Sequence, residues 1–142
     1  MPREENIAAL KQAADRFKAR DLEGHLKLYS PSVSHHGFSK RVRPGVAGLR
    51  EHYNGLLKGF PDARIDTDDI LAEGEKVLHR FRFSGTHKGE FLGFPATGKH
   101  VHATGVQVHL FRQGQAIEVW QVMDAYTFLR EIGGVSRVRD MK

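Results

Sequence analysis

The sequence predicts an α+β domain in which helices come first and an antiparallel sheet follows. Apolar residues recur every three or four positions in the first part of the chain and alternate every second position in the second part. This order argues against a parallel sheet, because a parallel sheet needs a crossover helix after each strand. A curved antiparallel sheet packed on N-terminal helices forms a cone, and its mouth is the expected site of a pocket.

Three amphipathic helices are predicted in the first 60 residues. The first spans about 4–19 and carries apolar residues at steps of three and four. Asp21 fits the N-cap of a short second helix that ends at Ser30 and Pro31. The third begins at Pro44 and ends at Gly59.

The rest of the chain predicts four strands and a final helix. The strands span 64–71, 77–86, 101–111 and 116–123, and the helix spans 125–132 before two glycines. The chain is expected to form one domain over 1–142, with 136–142 as a flexible basic tail.

Composition excludes several classes of function. The 142 residues contain no cysteine, which removes thiolate catalysis, disulfides and thiolate-bound metals. The longest apolar stretches are far shorter than a membrane span, and the N-terminus does not resemble a signal peptide, so a cytoplasmic location is expected. The net charge of +5 comes from residues 35–58 and the tail. Neither segment has the aromatic platforms or motifs of nucleic-acid-binding proteins, so no nucleic-acid partner is predicted.

Alternation assigns side chains to faces of the sheet. Phe81 is expected on the helix side of its strand, where it would line the pocket. Gln121 is on the more apolar side of the last strand. A two-residue turn before this strand would place Gln107 opposite Trp120, whereas a three-residue turn would place it opposite Val119 and bring it diagonal to Gln121.

Several segments resemble the SnoaL-like polyketide cyclases, or ester cyclases, of the nuclear transport factor two-like superfamily. The most specific segment runs from Phe83 to Lys99, and Thr104 with Gly105 and the stretch from Gly114 to Asp124 also fit. The resemblance implies a cone-shaped α+β fold, a homodimer or higher homo-oligomer, and no metal or organic cofactor. It also implies aldol-type ring closure of a polyketide, or the related cofactor-free hydroxylation.

The resemblance implies a catalytic aspartate on the last strand, but the matching position holds Gln121, which takes no proton at useful pH. His109 and Asp124 are the remaining candidates for the proton acceptor. His109 would otherwise be a core histidine, and Asp124 the N-cap of the last helix. Gln107 and Gln121 would orient a carbonyl or water, or would satisfy each other as a buried amide pair.

Two further residues are candidates for substrate contact. His36 matches a position at the pocket mouth, with a solvated loop histidine as the alternative. Trp120 would stack on a substrate if its face of the strand points inward, and would otherwise pack or form a subunit interface. No metal site is predicted, because the aspartates at 66, 68 and 69 alternate faces along one strand.

Together these features predict a small-molecule enzyme that uses acid–base chemistry on a hydrophobic, oxygenated molecule. The alternative is a non-catalytic cone that binds a ligand or oligomerises and has lost the aspartate. An ionisable side chain lining the pocket would favour the enzyme. The apolar outer positions of the predicted sheet favour a homo-oligomer.

Overall fold

A computed structural model describes residues 2–39 and 41–133, and it confirms the α+β class. The predicted basic tail at 136–142 lies outside the described residues. The described elements are, in chain order, α1 (Pro2–Lys18), α2 (Leu22–Leu26), β1 (Tyr29–His36), α3 (Gly45–Gly59), β2 (Arg64–Glu73), β3 (Lys76–Thr86), β4 (His100–Arg112), β5 (Gln115–Met123) and α4 (Ala125–Glu131).

The five strands form one curved, open sheet in the order β1-β5-β4-β3-β2. Strands β2 to β5 are antiparallel neighbours, as predicted. The expectation of a purely antiparallel sheet is wrong at one edge, because β1 pairs in parallel with β5. After β1, the chain crosses through α3 to β2 at the opposite edge of the sheet and returns strand by strand to β5. A parallel pair requires a long connection of this kind.

The core lies between the helices and the concave face of the sheet. Successive residues along β3 and β4 alternate strictly between buried and more exposed, which is the period-two pattern of a sheet covered on one side. Leu10 and Phe17 from α1 and Leu49 and Phe60 from the α3 region bury their side chains against this face. Their burial packs the helices against the sheet in one core.

Helix boundaries follow local chemistry. Asp21 caps α2, because its Oδ1 accepts a hydrogen bond from the Gly24 amide at 2.9 Å. The predicted second helix is too long, however, since α2 ends at Leu26 and Tyr29 begins β1. This difference moves the Tyr29 side chain from a helix face to the inner face of the sheet edge.

The outer face of the sheet is not covered by a helix in the described part of the chain. Val106 and Val122 are cross-strand neighbours there, and Val122 is 73% exposed. Rows of ion pairs, such as Arg82 to Asp68 at 2.8 Å, lie beside them. None of the described helices is long and apolar enough to cross a membrane.

Candidate active site

A cavity of about 290 Å³ lies between the helices and the concave face of the sheet. Its walls are mostly aliphatic and aromatic, with Phe17 and Leu56 from the helices and Phe81 and Phe83 from β3. This volume is at the lower end of the range for small-molecule sites, about 300–1,000 Å³. The cavity therefore suits a compact apolar molecule.

Three polar side chains form a row across the floor of the cavity. His79, Gln107 and Gln121 occupy directly opposed positions on β3, β4 and β5. The Gln107 Nε2 donates a hydrogen bond of 2.7 Å to the Gln121 Oε1, and it lies 3.5 Å from the Tyr53 hydroxyl. The two amides thus orient each other and place a polar strip within an apolar pocket.

The hairpin between β4 and β5 has neither predicted register. Gln113 and Gly114 form a two-residue turn, and both have positive φ, 52° and 81°, which is the pattern of a type I′ turn. A bulge after Leu110 then shifts the register so that Gln107 pairs directly with Gln121. The inward direction of Gln121 agrees with the prediction from apolar alternation.

Two tyrosines supply hydroxyl groups to the cavity. Tyr29 and Tyr53 both line it, and both are almost completely buried. Burial raises the pKa of Tyr53, and it raises that of Tyr29 well above its ordinary value, with a further contribution from the neighbouring Tyr53 hydroxyl. Both groups therefore remain protonated hydrogen-bond donors at neutral pH.

Three histidines line the cavity, and burial keeps each of them neutral at pH 7. Desolvation lowers the pKa of His52 and of His79 to about 4, and it also lowers the pKa of His25. The His79 Nε2 lies 2.8 Å from the Thr67 hydroxyl, and the His25 Nδ1 lies 2.8 Å from the Ala13 carbonyl oxygen. Neutral imidazoles of this kind can accept protons.

The mouth of the cavity includes a strained turn. Leu92 lines the cavity, is 49% exposed and has a φ of 51°, which is unusual for a residue with a branched side chain. Phe91 and Phe94 hold the turn through two backbone hydrogen bonds of 3.1 and 2.9 Å. The turn keeps an apolar side chain at the entrance.

The structure does not place His109, a predicted proton acceptor, in the cavity. Its side chain is fully buried, it does not line the cavity, and neither ring nitrogen has a hydrogen-bond partner among the described residues. Its ring packs 6.0 Å from that of Tyr29, and desolvation lowers its pKa to about 3. A substrate in the cavity does not reach this imidazole.

Asp124 caps α4, which is the structural alternative for this carboxylate. Its Oδ1 accepts the Thr127 amide at 3.1 Å, and its Oδ2 accepts the Thr127 hydroxyl. These hydrogen bonds hold the pKa of Asp124 below its ordinary value. The side chain is exposed and does not line the cavity.

His36 and Trp120, the two further predicted substrate contacts, lie on the outer face of the sheet and do not line this cavity. They are paired positions on β1 and β5, and their rings stack at 5.5 Å. The His36 Nε2 lies 2.7 Å from the Glu118 Oε2. The reason is the period of the strand: when Gln121 points inward, Trp120 must point outward.

Of the predicted site residues, Gln107, Gln121 and Phe81 line the cavity. The residues that the sequence did not assign to the site are His25, His52, His79, Tyr29 and Tyr53. In the sequence, both tyrosines fall on the apolar faces of predicted helices. That pattern does not distinguish a residue that lines a pocket from one that is buried in the core.

The cavity carries no formal charge on its described lining. Within residues 2–39 and 41–133, no Lys, Arg, Asp or Glu lines it. Two arginines from the positively charged segment 35–58 form ion pairs with acids outside the cavity. Arg50 pairs with Glu23 at 2.9 Å, and Arg43 pairs with Glu51. In the same described ranges, no three His, Asp or Glu side chains are arranged to hold a metal ion.

Comparison with known structures places this geometry in a family. The chain is similar to AclR, a proposed hydroxylase from Streptomyces galilaeus, with 30% identity over 92% of this chain and 97% of that one, and a TM-score of 0.81. It is similar to TsrD from Streptomyces laurentii, with 28% identity over 89% and 96% of the two chains and a TM-score of 0.78.

A third similar structure is IdmH, a proposed polyketide cyclase from Streptomyces antibioticus. It has 27% identity over 90% of this chain and 98% of that one, with a TM-score of 0.75. No curated protein matches the sequence. The family model for SnoaL-like polyketide cyclases matches residues 7–132, a range that includes every described residue that lines the cavity. The chain therefore belongs to the SnoaL-like polyketide cyclase family.

Proposed function

We propose that this protein is a small-molecule enzyme that moves a proton on a neutral, hydrophobic, oxygenated substrate of the polyketide type. The observation that carries this proposal is the chemistry of the cavity lining. The polar side chains on its described lining are two amides, two protonated tyrosines, three histidines held neutral by burial and the Ser39 hydroxyl, all set in apolar walls.

This lining favours a neutral substrate over an ion. An ionic group moved from water into the cavity would lose its hydration without meeting an opposite charge among the described residues, and that loss costs several kcal/mol. A ketone or phenol loses less and gains hydrogen bonds from the Tyr53 hydroxyl and the Gln121 amide, since both N–H groups of Gln107 already donate to Gln121 and Tyr53. Apolar ring atoms gain contact with Phe81 and Phe83.

The same groups supply what an aldol closure needs. A neutral imidazole takes a proton from the carbon beside a carbonyl, and the C–H electron pair forms an enolate. Hydroxyl and amide donors hold the enolate oxygen. The enolate carbon then attacks a second carbonyl of the same molecule, and the new alkoxide takes the proton back. The ring closes with no net gain or loss of atoms.

Hydroxylation is the related chemistry suggested by the similarity to AclR. It would begin with the same proton removal, and the enolate carbon would then add dioxygen and a proton to give a hydroperoxide, which holds both oxygen atoms. A reductant that supplies two electrons and two protons would then convert the hydroperoxide to a hydroxyl group and water. Both reactions therefore depend on the same first step.

The alternative is a binding protein without catalysis. Its support is Gln121, which stands where the family resemblance implies an aspartate, and the lack of any carboxylate on the described lining. Against it stand three histidines that line the cavity and that burial keeps neutral at pH 7.

Exchange of carbon-bound protons separates the two functions without knowledge of the natural substrate. The probe is 1-tetralone, a neutral bicyclic ketone, in D₂O buffer, and proton NMR follows the loss of signal from the carbon beside the carbonyl. An enzyme of the proposed kind accelerates this exchange over buffer. Line broadening that shows binding, without any acceleration, would support the binding protein and contradict the proposal.

A further inference from the structure

The Tyr53 hydroxyl is held beside the row of polar side chains on the cavity floor. Its ring makes edge-on contacts with three other rings, with centroid distances of 5.8 Å to Phe17, 5.4 Å to His25 and 5.1 Å to His52. The side chain lines the cavity, and its hydroxyl lies 3.5 Å from the Gln107 Nε2. A donor that packing holds in this way needs no rearrangement when charge develops on a substrate.

The contact with Gln107 determines which part of the Tyr53 hydroxyl is left for a ligand. An amide nitrogen donates hydrogen bonds and does not accept them, so the Tyr53 oxygen is the acceptor in this contact. The same nitrogen also donates to the Gln121 Oε1 at 2.7 Å. The hydrogen of the Tyr53 hydroxyl is therefore not used by Gln107.

Tyr29 is the second polar neighbour of the Tyr53 hydroxyl. The two hydroxyls interact, and a contact between two hydroxyls uses only one of their two hydrogens. Burial raises the pKa of Tyr53, whereas the Gln107 and Tyr29 groups act to lower it. Burial also raises the pKa of Tyr29, and Tyr53 raises it further. Tyr53 is thus the more acidic hydroxyl, Tyr29 is the donor within the pair, and the hydrogen of Tyr53 is left for a ligand.

We propose that Tyr53 is a catalytic residue that donates a hydrogen bond to the enolate oxygen of the substrate, with Gln107 and Tyr29 as the residues that position it. This inference rests on the function proposed above. When a base in the cavity removes the proton beside the carbonyl, the C–H electron pair forms a carbon–carbon double bond, and the carbonyl π pair moves to the oxygen. The hydrogen bond from Tyr53 strengthens as charge grows on that oxygen. The hydrogen stays on Tyr53, and the oxygen returns its electron pair when the enolate carbon forms its new bond.

The surroundings of Tyr53 make this hydrogen bond effective. No Lys, Arg, Asp or Glu lines the cavity in the described part of the chain, so no formal charge there competes for the enolate oxygen. The neighbouring His25 and His52 rings are neutral at pH 7, because burial lowers the pKa of both. A hydrogen bond to an anion is stronger in such an apolar site than in water. Loss of the Tyr53 hydroxyl should therefore slow enolate formation.

Three substitutions of tyrosine by phenylalanine separate this role from packing. Tyr53→Phe removes the proposed donor and keeps the ring. Tyr29→Phe removes a group that positions the donor. The matched control is Tyr126→Phe, because this tyrosine of α4 is 53% exposed and does not line the cavity. Circular dichroism confirms the fold of each variant.

The first assay is deuterium exchange into 1-tetralone at pH 7.5, measured over a range of ketone concentrations. Removal of one donor to an oxyanion costs about 10²–10³ in rate, so we expect Tyr53→Phe to lose at least about 100-fold in kcat. KM should change by less than about threefold, because the lost interaction belongs to the transition state, whereas a merely structural role would raise KM. Tyr29→Phe is expected to lose less in kcat, and Tyr126→Phe to match wild type.

The exchange results distinguish the assignment from the proposed function. A folded Tyr53→Phe variant with kcat within about threefold of wild type would overturn the assignment and leave the proposed function standing. A lack of exchange by wild type would overturn the proposed function.

Binding of 1-naphthol gives a readout that does not depend on turnover. This phenol carries its oxygen where the enolate of 1-tetralone carries its own, and its ionised form has a distinct absorption spectrum. A donor at that oxygen favours the ionised form, so the acid ionisation constant of bound 1-naphthol is expected to be at least about tenfold smaller in Tyr53→Phe than in wild type. Equal constants would overturn the assignment, whatever the exchange rates.

A crystal structure of wild type with 1-naphthol tests the contact without any variant. The naphthol oxygen is expected within hydrogen-bond distance of the Tyr53 hydroxyl, about 2.5–3.0 Å. A naphthol oxygen bound elsewhere in the cavity would overturn the assignment.

Discussion

Replacement of His109 by leucine tests our proposal that this buried histidine acts as a core residue and not as the base. Its side chain is fully buried, and neither nitrogen has a partner among the described residues. Burial of an unpaired polar atom costs on the order of 1–3 kcal/mol. Leucine has a similar volume and no polar atoms, so at pH 7 we expect the variant to unfold with equal or greater free energy.

The pH dependence of stability gives the size of the expected change in the free energy of unfolding. The pKa of His109 falls from 6.5 to about 3 on folding, so protonation favours the unfolded chain. The contribution of this group to stability is complete above pH 6.5 and is lost progressively as the pH falls towards 3. Between pH 7 and pH 5, linkage predicts that wild type loses about 2 kcal/mol through His109, and the leucine variant does not.

The assay is urea unfolding of wild type and His109→Leu at pH 7 and pH 5, followed by circular dichroism. The difference between the two free energies of unfolding is expected to grow by about 2 kcal/mol in favour of the variant at pH 5. Exchange into 1-tetralone is expected to be unchanged. A difference that does not depend on pH, or a loss of exchange in the variant, would refute the reasoning.

Three further predictions concern the mouth, the floor and the outer face. Leu92→Asn is expected to raise the free energy of unfolding by up to about 1 kcal/mol, since asparagine tolerates a positive φ, and to weaken 1-tetralone binding in calorimetry; equal affinity would remove Leu92 from the site. Gln121→Glu adds a carboxyl group beside the Gln107 amide, and burial is expected to raise the pKa of that group. Tetralone exchange should rise as the pH passes through this pKa, because the deprotonated carboxylate is a base; an unchanged rate at every pH would contradict this. We also propose a homo-oligomer through the outer face, so Val122→Glu, opposite Val106, should reduce the sedimentation mass towards 16.0 kDa; a wild-type monomer would exclude it.

Local patterns in the sequence were sufficient for most of the fold. The alternation in β3 and β4 predicted which side faces the helices, and the cap residues at Asp21 and Asp124 predicted the starts of α2 and α4. These signals depend on neighbours within a few residues. The parallel pairing of β1 with β5 depends on two segments about 85 residues apart, and no local pattern specifies it.

The site was harder to predict than the fold for the same physical reason. The resemblance pointed to the β4–β5 hairpin, and Gln107 and Gln121 do line the cavity. The sequence does not show whether the His109 side chain reaches the cavity or packs behind Tyr29, because tertiary packing decides this. His25 carried no signal, because its bond to Ala13 joins two helices.

The central claim is that a cavity of neutral polar groups selects a neutral oxygenated molecule. Calorimetric binding at pH 7.5 of 1-tetralone and of 1,2,3,4-tetrahydronaphthalene-1-carboxylate tests it, since the two ligands share a ring system and differ in charge. The ketone is expected to bind at least about tenfold more tightly, because each 1.4 kcal/mol of desolvation cost is a factor of about ten. Equal or tighter binding of the carboxylate would contradict the claim.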